Sequence, residues 1–256
     1  MNMTDFFLCA LCGFLAQLID GTLGMAYGVS ASTLLRAMGQ SSATASFCTH
    51  TAEIFTTLAS GVSHFTMKNI DRGLFLRLIV PGVIGGVLGA YVLTGFDDSV
   101  ISPIVSLYLT VMGFVIFSKA FRKKPKNPRK IGREVYPLAL IGGFSDSMGG
   151  GGWGPVVTST LLASDCDVKT TIGSVNAAEF FVTLAESAAF FLTLGSLGDA
   201  LPAAAGLIAG GVAASPIAAW LCRKVPVRPL IAVVGALIAL LNGYKAAEFL
   251  WSNLTV

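Results

Sequence analysis

Long apolar runs separated by short polar segments occupy almost the whole chain. Most of the runs reach the roughly 20 residues that a helix needs to cross a bilayer. The N-terminal run and the two runs on either side of four consecutive glycines are shorter. The pattern predicts an all-helical protein, with helices near 5–19, 22–38, 43–65, 73–94, 99–118, 135–148, 153–164, 170–195, 200–222 and 229–250.

The composition indicates the class of protein. Of the 256 residues, 54% are hydrophobic and only 12% are charged, and the mean hydropathy is +0.75. A soluble domain carries roughly twice that charged fraction. We therefore predict a multi-pass integral membrane protein with no room for a soluble domain. The N-terminal run lacks the basic start and cleavage site of a signal peptide, and the five cysteines are expected to be membrane-buried thiols.

The chain contains an internal repeat. When the sequence is shifted by 126 residues, residues 20–61 align with 146–187 without a gap and 12 of 42 positions are identical. The matches include two acidic pairs, Asp20 with Asp146 and Glu53 with Glu179, which compositional bias alone does not explain. A repeat of this kind predicts two structurally related halves.

Charged residues predict how the two halves lie in the membrane. If 5–38 forms a hairpin that enters and leaves by one face, three full spans follow it, and the second copy is inverted. Nearly all basic residues then fall on one face and Asp97, Asp98 and Asp199 on the other, with Arg36 as the exception. The basic segment 119–134 could bind lipid or nucleic acid, but a cytoplasmic loop is the simpler interpretation.

The predicted fold is an all-α integral membrane fold of two inverted repeats. Each repeat is a glycine-rich broken or re-entrant helical hairpin plus three transmembrane helices. The first transmembrane repeat covers 1–118, a basic cytoplasmic linker covers 119–134, and the second transmembrane repeat covers 135–256, with both termini outside. Inverted repeats with broken helices are typical of secondary transporters.

The two hairpin turns read "DGTLGMAYG" from Asp20 and "DSMGGGGWG" from Asp146. The helix that leaves each turn presents free N–H groups and the positive end of its dipole, an arrangement that binds anions. Glycine would let an oxyanion reach this backbone. The alternative is that the glycines only permit close helix packing.

Two polar pairs follow the hairpins. His50 with Glu53, and Asn176 with Glu179, are three residues apart and therefore share one helix face. Ionisable groups inside a membrane usually face an interior cavity and indicate function, although a His–Glu hydrogen bond that only holds helices together is an alternative. His64 and Glu186 have no charged counterpart in the other repeat, so an interfacial position is equally open for them.

The segments "GFLAQLIDGTLGMAYGVSASTLL", "AEIFTTLASGVSHF" and "GGFSDSMGGGGWGPVVTSTLL" resemble the sulfite exporter TauE/SafE family, also called toluene sulfonate uptake permeases. The resemblance covers nearly the whole chain. It implies a bacterial inner-membrane permease for sulfite, sulfonates or other small organic anions, with the hairpins lining the site. The first hairpin has fewer glycines than the family pattern and lacks its following proline, which indicates an asymmetric site.

Taken together, these observations predict a secondary transporter of small anions, with a passive anion channel as the nearest alternative and an intramembrane enzyme as a more distant one. The expected partners are a small anion, the lipid bilayer and a coupling proton, with a homodimer as a candidate assembly; no cofactor, metal, catalytic residue or nucleic acid is expected. The candidate substrate-binding residues are Asp20, Thr22, Gly24, Tyr27, Gly28, His50, Glu53, Asp146, Ser147, Gly149, Gly150, Gly151, Gly152, Trp153, Asn176 and Glu179.

Overall fold

A computed structural model describes residues 3–23, 26–66, 68–121, 131–164, 166–194, 200–221 and 227–254. These residues form helices without any strand, which confirms the predicted all-helical class. The elements are α1 (Met3–Leu23), α2 (Tyr27–Ala37), α3 (Ser42–Thr66), α4 (Arg72–Gly95), α5 (Asp98–Lys119), α6 (Val135–Gly149), a π-helical segment (Trp153–Thr158), α7 (Ser159–Ala163), α8 (Val168–Thr193), α9 (Ala200–Leu221) and α10 (Val227–Leu254).

Four helical stretches are long and apolar enough to cross a membrane: Arg72–Gly95, Asp98–Ser118, Thr170–Thr193 and Ala232–Phe249. Their outward faces carry large apolar side chains, as expected where lipid replaces water around a protein. Leu192 is 76% exposed and Leu240 is 72% exposed. The chain is therefore a multi-pass membrane protein.

In chain order, α1, α3, α4 and α5 correspond to α6, α8, α9 and α10. The same helix pairs recur under this correspondence. Helix α1 packs on α9, and its counterpart α6 packs on α4; likewise α3 contacts α9, and α8 contacts α4. The remaining extensive pairs, α3 with α8 and α5 with α10, map onto themselves. This packing is what two related halves would give, while their opposite orientation in the membrane stays a prediction.

Glycines at the helix contacts let the backbones approach closely. A Cβ atom added to Gly85 of α4 would collide with the Leu140 carbonyl of α6, and one added to Gly143 would collide with the Gly82 carbonyl. Small residues at helix interfaces are typical of membrane proteins because packing, rather than the hydrophobic effect, drives helix association there.

Arg36, the exception to the charge pattern, lies inside the protein. It is 1% exposed, and its guanidinium donates to the Ser102 carbonyl at 3.0 Å, to the Ser102 and Ser106 hydroxyls at 2.9 Å, and to Asn242 Oδ1 at 3.2 Å. The excess of basic residues on the cytoplasmic side is a property of loops. It therefore does not apply to Arg36, a buried residue that links α2 to α5 and α10.

Candidate functional site

The second hairpin is built on a helix that ends inside the protein. Helix α6 stops at Gly149, and Gly150 adopts a left-handed conformation (φ 65°) that favours glycine. The π-helical segment then begins at Trp153. The N–H groups of Gly152 and Trp153 both donate to Oδ1 of Asp146, the latter at 2.9 Å. The Asp146 carboxylate thus occupies the anion position at the start of the outgoing helix.

The first hairpin repeats this arrangement. The N–H of Tyr27, which begins α2, donates to Oδ1 of Asp20 at 3.2 Å. With the sequence shifted by 126 residues, Asp20 aligns with Asp146 and Tyr27 with Trp153. We expected the N–H groups at these helix starts to face a bound oxyanion. In the structure, three of them donate to the protein's own carboxylates.

The glycines of the two hairpins bring the hairpins into contact with each other. A Cβ at Gly28 would lie 2.6 Å from both the Gly150 carbonyl oxygen and the Gly151 Cα, and 2.9 Å from Oε1 of Glu53. A Cβ at Gly151 would collide with the backbone at Gly28. The close packing of the two hairpins therefore requires glycine at both positions, and their role in substrate binding stays a prediction.

The carbonyl groups at the end of α6 accept hydrogen bonds from other helices. A helix that ends within the membrane leaves its last carbonyls unpaired, and each unpaired group there costs several kcal/mol. Hydroxyl groups from the first half, together with Nε2 of His50 on the Asp146 carbonyl at 3.2 Å, supply partners. The hydroxyl donors are Ser46 to the Ser147 carbonyl (2.6 Å), Ser32 to the Gly149 carbonyl (2.7 Å) and Tyr108 to the Gly151 carbonyl (3.2 Å).

A cavity of about 220 Å³ lies between the two hairpins and helices α3 and α8. Both halves of the chain contribute to its wall, so the cavity exists only in the assembled fold. Its lining includes Gln17, Asp20, Tyr27, Gly28, Glu53, Thr56, Thr57, Ser60, His64, Asp146, Gly151, Gly152, Gly154, Pro155, Asn176 and Glu179.

The wall of the cavity is acidic. It carries the carboxyl groups of Asp20, Glu53, Asp146 and Glu179 and the imidazole of His64. Among the described lining residues there is no lysine or arginine. An anion in this cavity would meet unfavourable charge unless some of the carboxyl groups carry protons.

His50 lies behind the cavity wall and connects several buried groups. Its Nδ1 lies 3.0 Å from Oε2 of Glu53 and 3.2 Å from Oε2 of Glu186. Ligand atoms of His50, Asp146 and Glu186 lie within 4.8 Å of one another, a spacing that a metal ion could use. Because both ring nitrogens already face oxygen atoms at hydrogen-bond distance, we interpret the cluster as a site that shares protons.

The structure brings most of the candidate residues to one place. Asp20, Tyr27, Gly28, Glu53, Asp146, Gly151, Gly152, Asn176 and Glu179 line the cavity. The other described candidates, His50, Ser147, Gly149, Gly150 and Trp153, are buried but are not among its lining residues. Trp153 is fully buried, and its indole N–H donates to the Val175 carbonyl at 3.2 Å. Gly24 and the side chain of Thr22 lie outside the described residues.

Sequence reasoning missed two residues of this site. Glu186 is fully buried beside His50, and the hydroxyl of Tyr108 on α5 donates to the Gly151 carbonyl in the second hairpin. The signal for Glu186 was its position in the middle of an apolar span, where a carboxyl group is costly. Nothing in the sequence distinguished Tyr108 from other aromatic residues.

Two comparisons with known proteins match most of the chain. The model of the family described as "Sulfite exporter TauE/SafE" matches residues 9–244. The chain is also 40% identical over 246 residues to the "Probable membrane transporter protein YtnM" of Bacillus subtilis (strain 168). The aligned region covers 94% of this chain and 82% of the relative.

Proposed function

The chain belongs to the sulfite exporter TauE/SafE family of membrane transporters, and on that premise we propose that it is a secondary transporter of small anions. The proposed substrates are sulfite, sulfonates and related sulfur-containing organic anions. The proposed location is the inner membrane of a bacterium, with the substrate bound between the two hairpins.

The observation that carries this proposal is the cavity between the hairpins. Its volume of about 220 Å³ is below that of typical drug-sized pockets, which favours a ligand the size of a small sulfonate. Residues from both halves form its wall. A movement of one half against the other would therefore open and close it, as alternating access requires.

The acidic wall supports a coupling proton. Four carboxyl groups without a facing lysine or arginine among the described lining residues would oppose an unaccompanied anion. Protonation removes this repulsion and turns a carboxyl group into a hydrogen-bond donor. Glu53 on the wall, in contact with His50 at 3.0 Å, is proposed to exchange the proton with the cavity during transport.

A thermal-shift screen of the purified protein tests the substrate class. We expect sulfite, sulfoacetate or a related sulfonate to raise the melting temperature, because a ligand that binds only the folded state stabilises it. Sulfate and simple carboxylates serve as comparison anions, and taurine adds an ammonium group. Stabilisation by taurine alone would contradict an anion site and indicate that the acidic wall binds the ammonium group.

Counterflow in proteoliposomes separates a carrier from a passive channel. A carrier loaded inside with unlabelled anion should transiently accumulate labelled anion from outside, because exchange needs no net gradient. Linear, unsaturable flux without counterflow would identify a channel instead.

A further inference from the structure

Glu186 is a fully buried carboxyl group that does not line the cavity. Its Oε2 lies 3.2 Å from Nδ1 of His50, which is within ion-pair distance. The nearby Ser147 hydroxyl donates to the Gly86 carbonyl at 2.6 Å, so neither carboxyl oxygen has a well-formed hydrogen bond among the described residues. Burying a charged carboxylate without hydrogen bonds is strongly unfavourable. The group therefore needs a proton or another positive charge beside it.

The hydrogen-bond partners of His50 allow the protons of this cluster to be counted. Nε2 lies 3.2 Å from the carbonyl oxygen of Asp146, which can only accept, so Nε2 carries a hydrogen. Nδ1 lies 3.0 Å from Oε2 of Glu53, so another proton must lie between these two atoms. With that proton alone, His50, Glu53 and Glu186 together carry one negative charge. One further proton, on Glu186, makes the cluster neutral.

The other half of the protein contains an uncharged version of the same contact. When the sequence is shifted by 126 residues, His50 aligns with Asn176 and Ser60 with Glu186. Asn176 Nδ2 donates to Ser60 Oγ at 2.9 Å. A hydrogen bond between two uncharged side chains is thus sufficient for helix packing at this position. Packing alone therefore does not explain why His50 and Glu186 are ionisable.

The backbone of α4 leaves space for the Glu186 carboxyl group. A Cβ added to Gly86 would lie 2.7 Å from Cγ of Glu186 and would also collide with its carboxyl oxygen. His50 and Glu53 come from the first half and Glu186 from the second. The proton-sharing groups therefore meet at the contact between the two halves.

Other titratable groups face this cluster from the neighbouring helices. Helix α9, which packs on α3, contains no titratable residue in Ala200–Leu221. The facing groups are Asp20 on α1, Tyr27 on α2, Tyr108 on α5, Asp146 on α6 and Glu179 on α8. Ionisation gives each of these side chains a negative charge, and a negative charge nearby favours protonation of the cluster.

We propose that Glu186 binds and releases the coupling proton of this transporter, and that His50 connects it to Glu53 at the cavity wall. The proposal rests on the proposed function. A proton enters from the cavity onto Glu53, the Nδ1 proton of His50 passes to Glu186, and the Glu53 proton moves to Nδ1. The cluster gains one proton and no other bond changes.

Proton binding and anion binding then strengthen each other. An anion beside Glu53 adds negative charge next to the cluster and favours the second proton, and by linkage the proton favours the anion to the same extent. Glu186 acts through His50 and is a positioning and proton-binding residue that does not touch the substrate.

The first test measures protonation without substrate. Infrared difference spectra of the purified protein between two pH values should contain the carbonyl band of a buried protonated carboxyl group. The band should disappear in Glu186→Gln and in the double variant His50→Asn with Glu186→Ser, which copies the Asn176–Ser60 pair and should fold. It should remain in Glu248→Gln, which alters an exposed carboxyl group. A band that persists in Glu186→Gln would overturn the assignment.

The second test uses sulfoacetate as the probe. The wild-type dissociation constant should fall by up to about tenfold per pH unit of acidification, the limit for uptake of one proton, and Glu186→Gln should lose this dependence while still binding. Uptake driven by a sodium gradient at equal pH would overturn the proton assignment. An intact Glu186 band without binding of any tested anion would overturn the proposed substrate class and leave the proton site standing.

Discussion

Asp146 joins the broken helix end to the rest of the protein through both its side chain and its main chain. Its Oδ1 accepts from the N–H groups of Gly152 and Trp153, and its carbonyl accepts from Gly151 N–H at 3.0 Å and faces His50 Nε2 at 3.2 Å. A single residue thus fixes the turn, the start of the outgoing helix and the orientation of the imidazole.

Replacing Asp146 with alanine should lower stability by about 2–6 kcal/mol, since two buried N–H groups would lose their acceptor at about 1–3 kcal/mol each. Asp146→Asn keeps an acceptor oxygen and should lower the melting temperature much less. Thermal unfolding of the purified variants measures both. Equal losses in the two variants would show that the charge matters more than the capping hydrogen bonds.

His50 and Glu53 should control transport more strongly than Glu179. His50→Ala and Glu53→Gln remove the charge change beside the cavity, so transport should fall by about tenfold, the equivalent of 1.4 kcal/mol, and its pH dependence should flatten. Glu179→Gln should have a smaller effect, because its repeat neighbour Asn176 cannot titrate. Uptake into proteoliposomes at several pH values measures this, and unchanged pH profiles in both cluster variants would reduce the pair to helix-packing residues.

At the scale of the elements, paired helices depend on backbone contacts that only glycine allows. In the α1–α9 contact, a Cβ at Gly210 would collide with the Ala10 carbonyl, and one at Gly13 with the Leu207 carbonyl. The adjacent Gly211 differs, because a Cβ there would lie 3.4 Å from the Tyr27 hydroxyl, an ordinary van der Waals distance.

This difference provides a matched pair of variants. Gly210→Ala should destabilise the protein by about 1–3 kcal/mol through overpacking, whereas Gly211→Ala should be close to neutral. Melting temperatures in one detergent compare them directly. If Gly211→Ala proves as harmful as Gly210→Ala, loss of backbone freedom rather than steric contact would be responsible.

At the scale of the whole molecule, the orientation of the two halves in the membrane is a prediction that can be tested. The inverted arrangement predicts that Lys124 and Arg223 face the cytoplasm and Asp97 the periplasm. Both basic positions lie outside the described residues, so the prediction rests on charge distribution.

Cysteine labelling in intact cells tests this topology in a background without the five native cysteines. A cysteine placed at 97 should react with an impermeant reagent, and cysteines at 124 or 223 should react only after the cells are opened. Reaction at 124 from outside would contradict the inverted arrangement of the repeats.

The sequence by itself determined the helical membrane class, the positions of the helices and the repeat. Apolar runs must lie in lipid or in a protein core, and a gap-free alignment of two halves constrains both to similar local structure. For example, the run near 73–94 became α4 at Arg72–Gly95. The same alignment placed Asp20 opposite Asp146 before any contact was known, and the structure gives both carboxylates the same hydrogen bond.

Only the tertiary structure decided which groups meet across the two halves. The glycines of the hairpins suggested room for an oxyanion, but Gly28 and Gly151 make room for each other's backbone. Glu186 appeared unpaired because its partner, His50, is 136 residues away in the chain and belongs to the other half. Periodicity reports the face of a helix on which a residue lies, whereas the partner of a buried charge depends on how separate helices pack.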